Sequence, residues 1–246
     1  PIFIFDEDIL EKLPKNDARL TFIHETLQEM RDTLEEAHGS SIAMLHGKPV
    51  TIFEQLIEKY NIQTIFTNRD YEPYATERDA EIQKLLTQNN IEFLTFKDQV
   101  IFEKNEVTKK DGLPYVVYTP YMKVWKETFK TCNLDFYYTS SFLKNLIQTK
   151  TLPNLSLSDI GFTKSNQQTA HYTVTPALIQ NYEDTRNFPS QDSTSKLGPH
   201  LRFGTVSIRK MVAKAISEKN EIFWQELIWR EFFTQILWHF PHTSKN

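Results

Sequence analysis

The segment FWQELIWREFF, Phe223–Phe233, sets Glu226, Arg230 and Glu231 inside an otherwise apolar pattern. At about 100° per residue on a helix, Phe223, Glu226, Trp229, Arg230 and Phe233 share one face about 120° wide. Phe232, Trp224, Ile228 and Trp238 cover the other sides, and a helix that is apolar all round is buried. Charges buried with it need partners. One arrangement is an internal Glu226–Arg230 pair at i,i+4, with the helix serving as plain core. The other is an aromatic-walled pocket in which these groups touch something flat and polar.

A second stretch, DSTSKLGPHLRFGTVSIR, carries Ser193, Thr194 and Ser195 in a row, then Lys196, Leu197 and Gly198. Three hydroxyls, three backbone N–H groups and a cation ahead of a helix suit a phosphate. The plainer reading is a Ser/Thr helix cap. Other chemistry is thinly supported. No strand is followed by GxGxxG, and GxxxxGK[ST] does not occur. His239 and His242 in HFPH lack nearby Cys or carboxylate partners and read as polar helix-end residues, so no metal site is expected. The single Cys132 excludes an internal disulfide framework and suits a reducing compartment.

The elements that would position these residues follow from periodicity and caps. PIFIF is a short apolar run of the buried parallel-strand type. NDARLTFIHETLQEMRDTLEEA starts from an Asn/Asp cap and spaces Leu20, Ile23, Leu27 and Met30 as a helix does. SIAMLHG, VTIFEQLIEKY, QTIFTN, ATERDAEIQKLLTQN and IEFLTF continue the alternation of strand and helix. The order predicts an α/β fold with a doubly wound parallel sheet in residues 1–97, with Phe3, Phe5, Ala43, Leu45, Ile65 and Phe66 in or near its core. KDGLPYVVYTPYMKVWKETF reads as a strand and turn leading into a helix at Pro120. A Ser/Thr/Asn/Pro-dense connection over the surface follows, and three helical segments come after Pro176.

The 246 residues allow one large domain or two ordinary ones. A formal charge of −4 is unevenly spread. From Lys196 to Asn246 there are eight Lys/Arg against four Asp/Glu, a +4 end on a −8 body. That end is either a solvated helix face or a polyanion-facing surface. No apolar run reaches the length of a membrane span, and no signal peptide opens the chain, so a cytoplasmic protein is expected.

Together with TNRDYEPYATERDAEI and DGLPYVVYTPYMKVW, the two stretches resemble the photolyase/cryptochrome family over essentially the whole chain, with "RD", YTPY, STSKLGPHLRFG and ELIWREFF in the family's order. Within that family the likeness is nearest to class I cyclobutane pyrimidine dimer photolyases. The resemblance implies an N-terminal α/β antenna-type domain (1–130), a linker (131–176) and the start of an all-helical FAD-binding domain (177–246). It implies FAD as cofactor, held by Tyr182, Thr194, Ser195, Lys196, Leu197, Gly198, Phe223 and Arg230. It implies DNA containing pyrimidine dimers as partner, met by Arg186, Glu226, Trp229 and Phe233, with Glu226 and Trp229 acting on the dimer. The implied reaction is light-driven electron transfer from reduced FAD to a flipped-out dimer by a monomeric enzyme.

Some positions depart from the family's pattern. Lys196 is often Arg in relatives, and Phe223 falls where some place a Trp. Tyr74 and Ala75 replace the Asn and Glu of folate-antenna members, which leaves any second, antenna chromophore unnamed. The family's first strand would precede Pro1, and its remaining flavin ligands would follow Asn246. Repair is therefore expected of a full-length parent, while this chain is expected to be inactive and to bind FAD poorly. Two alternatives stand beside repair. One is a cryptochrome-type blue-light photoreceptor, against which Trp229 argues. The other is a non-catalytic chromophore- or partner-binding fragment.

Overall fold

The computed structural model describes residues 1–245. Strand β1 (Ile2–Asp6) ends where the Asp6 carboxylate accepts from the N–H of Asp8 and starts helix α1 (Glu7–Leu10). Helix α2 (Ala18–Ala37) begins the same way on Asp17, which accepts from Arg19 N at 2.8 Å. Its buried stripe is Leu20, Leu27 and Leu34, spaced by seven, and Met30 lies off that stripe and is exposed. Then come β2 (Ala43–Gly47), α3 (Pro49–Lys59), β3 (Thr64–Asn68), α4 (Pro73–Gln88) and β4 (Glu92–Phe96). Helices α5 (Tyr118–Phe129), α6 (Pro176–Thr185), α7 (Gly198–Arg202), α8 (Ile208–Ser217) and α9 (Glu221–His239) complete the order. Among the described residues no helix is long and apolar enough to cross a membrane.

The mixed α/β class and the parallel strand direction agree with expectation. The pairing is more divided than one continuous sheet. β1 pairs with β2, from Ile2 opposite Ala43 to Asp6 opposite Gly47. β3 pairs with β4 separately, from Thr64 opposite Glu92 to Asn68 opposite Phe96. The far edge of β2 is occupied instead by the connecting segment, since Met44 N donates to Pro153 O at 2.9 Å. Phe5 and Ala43 are buried, and Phe3, Leu45 and Ile65 are partly so. Phe66 is the exception, 65% exposed. Alternation turns it away from Ile65, and it stacks on Phe96, itself exposed.

No strand forms ahead of α5. Residues 109–113 close a turn, with Gly112 N donating to Lys109 O and Leu113 N to the Asp111 carboxylate. Leu113, Val116 and Val117 are exposed. The helix starts at Tyr118, two residues before Pro120. Proline is tolerated there because N–H groups of the first turn have no intrahelical acceptor.

The chain forms two compact units that do not follow chain order. The first comprises Pro1–Gln63, Glu81–Ile91 and Tyr137–Ala170, around Phe5, Leu20, Leu27, Met44, Ile160 and Phe162. Buried Arg31 of α2 ties part of the connection to it. Its guanidinium donates to the carbonyls of Ile42 (2.7 Å), Leu152 (2.9 Å), Pro153 (3.1 Å) and Lys150 (3.1 Å). Nε faces Glu35 at 2.7 Å, so a buried cation leaves no donor group idle. The second unit comprises Thr64–Ala80, Glu92–Phe136 and the chain from His171 onward. In it α5, α6 and α8 pack on α9, over Tyr121, Trp125, Ile179, Val212 and Ile228.

Candidate functional site

Helix α9 is built to be surrounded. Asn220 caps it by accepting from Phe223 N at 2.8 Å and reaches back to Gln180 O of α6 at 3.3 Å. Phe223, Leu227, Ile228, Glu231, Phe232 and Gln235 are buried. Its three central charges find partners far along the chain. Glu226 is ion-paired with Arg186 at the end of α6. Arg230 donates to Gln99 O at 2.6 Å and Leu201 O at 3.2 Å. The local Glu226–Arg230 pair considered from spacing is therefore not the arrangement adopted.

Glu231, given no role in the sequence reading, is the most buried charge of the helix. It is 2% exposed. It accepts from Ile101 N at 2.6 Å, Phe102 N at 3.0 Å, the indole N–H of Trp125 and Tyr121 OH at 3.5 Å. Burial pushes its carboxyl up to about 7, while these donors and the Arg230 charge pull the other way. Arg230 and Glu231 are consecutive and grip one loop, residues 99–102, from its carbonyl and its N–H groups respectively. Burial also lowers the Arg230 guanidinium from its usual range. A sequence signal existed for Glu231, a carboxylate inside an all-round apolar helix, but nothing local named the loop it would hold.

Beside this anchor lies a cavity of about 420 Å³. Tyr182, Ser195, Leu197, Gly198, Phe223, Glu226 and Arg230 line it, together with Leu201, Arg202 and Leu227. Seven residues singled out in sequence from three separate stretches thus share one space. Leu201, Arg202 and Leu227 were not singled out, although Leu201 and Arg202 lie in the HLRFG run. Tyr182 and Phe223 meet edge-on at 5.1 Å and 86°, forming an aromatic wall. Arg186 lies over the Tyr182 ring at 5.4 Å. Burial, then the negative charge of Glu226, raises the Tyr182 phenol. The lining carries two guanidiniums against one carboxylate, which favours an anion.

The Thr194–Lys196 segment lies immediately ahead of α7. Among the described residues, the backbone N–H groups of these three residues donate to no protein acceptor. Lys196 has φ +55° and pairs with Asp192 at 2.7 Å. Thr194 and Lys196 are exposed and do not line the cavity. Trp229 is also outside the lining, against the expectation that it would share the cavity with Glu226 and Arg230. Its indole stacks face to face on Tyr118 at 3.5 Å and 9°, with Phe233 stacked at 5.5 Å. Phe233 is exposed. His239 is the last residue of α9 and bonds Lys104 O at 3.1 Å, as a helix-end residue would.

The DNA photolyase family profile matches residues 1–138. The deoxyribodipyrimidine photo-lyase of Synechococcus sp. is 30% identical, over 98% of this chain and 55% of that protein. A class III photolyase from Agrobacterium tumefaciens superposes with a TM-score of 0.79 at 24% identity, covering all of this chain and 54% of the other. An archaeal photolyase from Sulfolobus tokodaii, solved with two FAD molecules, superposes with a TM-score of 0.69 at 22% identity over 98% and 54%. The chain spans about half the length of the curated relatives it matches.

Proposed function

This chain belongs to the DNA photolyase family, and on that premise we propose that it supplies one wall of a site for light-driven repair of cyclobutane pyrimidine dimers with FAD. The observation that carries the reading is the shared cavity, which gathers Tyr182, Ser195, Leu197, Gly198, Phe223, Glu226 and Arg230. The donor set suits FAD. Tyr182 and Phe223 offer flat apolar surface to a ring system. Ser195 offers a hydroxyl, Arg230 a guanidinium, and residues 194–196 unspent N–H groups for phosphate oxygens. FAD, when bound and reduced, supplies an electron on absorbing light.

The remaining work belongs to the protein. Arg186 and the basic end of the chain attract the DNA backbone. Trp229 and Phe233 offer π-faces to an unstacked base. Glu226 meets the polar edge of the dimer, where a hydrogen bond strengthens as negative charge arrives. Apolar neighbours Leu197, Leu201 and Leu227 exclude water from that contact.

The test is an FAD titration followed by absorption, with binding of oligonucleotides carrying one thymine dimer or none. Retained flavin and a preference for the dimer support the reading. Flavin without any dimer preference favours a cryptochrome-type photoreceptor. Loss of both favours a non-catalytic binding module.

A further inference from the structure

Tyr118 opens α5 within the YTPY run and touches three positions on α9, Gln225, Trp229 and Phe232. Its ring lies flat on Trp229, 3.5 Å between centroids and 9° between planes. Its hydroxyl donates to Gln225 O at 3.0 Å. Phe232 meets the same ring edge-on at 5.8 Å. Burial, and after it the charge of Glu226, raises the Tyr118 phenol, so the hydroxyl stays a donor beside the carboxylate of the cavity. A half-buried indole on a helix has several rotamers, and only the one that lies parallel to Tyr118 keeps this contact.

We infer that Tyr118 is the positioning residue for Trp229: its ring fixes the plane of the indole, and its hydroxyl fixes the ring to α9 beside Glu226. The inference rests on the reading that Trp229 stacks on a pyrimidine dimer. It assigns Tyr118 no contact with the dimer. A preset indole meets an extruded base without first losing rotamer freedom, which raises affinity for the dimer and leaves undamaged DNA alone.

The experiment compares Tyr118→Phe, Tyr118→Leu, Trp229→Ala and the double variant Tyr118→Leu/Trp229→Ala. Affinities are read for dimer-containing and undamaged oligonucleotides, with thermal melts alongside. Tyr118→Phe keeps the ring but loses the bond to Gln225 O, and is expected to fall between the parent and Tyr118→Leu in dimer preference. Tyr118→Leu is expected to lose about 2- to 10-fold of that preference, the worth of one aromatic pair, with undamaged-DNA affinity unchanged. Adding Tyr118→Leu to Trp229→Ala is expected to cost nothing more, because the two act as one unit. If Trp229→Ala loses the preference and Tyr118→Leu keeps it, the inference falls and the Trp229 reading stands. If Trp229→Ala keeps the preference, the Trp229 reading falls and takes the inference with it. Additive losses, or equal losses on undamaged DNA, also overturn it. Should Tyr118→Leu fail to fold, Tyr118→Met takes its place, under the same criteria.

Discussion

Arg186 at the end of α6 is ion-paired with Glu226 of α9, forty residues further along the chain. The pair raises the Arg186 guanidinium above its usual range. Its side chains are 29% and 37% exposed. A pair so wetted contributes about 0–1 kcal/mol to stability, so its main effect is to aim the two groups. Arg186 is partly open to solvent and lies outside the cavity lining, and Glu226 lines the cavity.

Arg186→Gln is therefore expected to leave the melting temperature within a few degrees while weakening binding to all DNA alike. The salt dependence of binding should flatten by about one unit of log–log slope, as for one lost phosphate contact. Titrations at several salt concentrations decide this, and an unchanged slope would remove Arg186 from the DNA surface.

Glu231→Leu is expected to be severely destabilising. It orphans two backbone N–H groups and the Trp125 indole N–H, all turned toward a buried carboxylate. Each unsatisfied group costs about 1–3 kcal/mol. Urea unfolding should show the loss, and a variant as stable as the parent would mean that the 99–102 loop is not held by this contact.

The same residue gives a pH dependence. Burial raises the Glu231 carboxyl from 4.5 in the unfolded chain to about 7. The folded state therefore binds a proton more tightly than the unfolded state. This contribution is greatest at or below the unfolded value and declines as pH rises from about 4.5 to about 7, then levels off. The full swing is roughly 3 kcal/mol. Across that window the unfolding free energy of the parent should fall by about this amount relative to that of Glu231→Gln as pH rises. Parallel curves would show that Glu231 does not titrate there.

Arg31→Met is expected to loosen the 150–153 segment without dissolving α2. Four carbonyls and the Glu35 carboxylate lose the guanidinium, although Pro153 O keeps Met44 N and Glu35 keeps the Ser41 hydroxyl. Limited proteolysis should cut the variant within this segment faster than the parent. Equal cleavage would show that the β2 edge contact through Pro153 is sufficient by itself.

The sequence by itself determined where several helices start and which stretches contribute to one cavity. Asp17, Thr175, Ser207 and Asn220 each cap the helix that follows, because an N-cap acts within three residues. The apolar periods of α2 and α9 were equally local. Only the tertiary structure decided which partner each charge took. Spacing offered Glu226 a neighbour at Arg230, but α6 brought Arg186 instead, and Arg230 and Glu231 turned to a loop some 130 residues earlier in the chain. It also moved Trp229 out of the cavity and onto Tyr118. Periodicity states that a side chain is buried and cannot state against what. That choice depends on which elements pack on α9, and those contacts join residues too far apart in the chain for any local pattern to record.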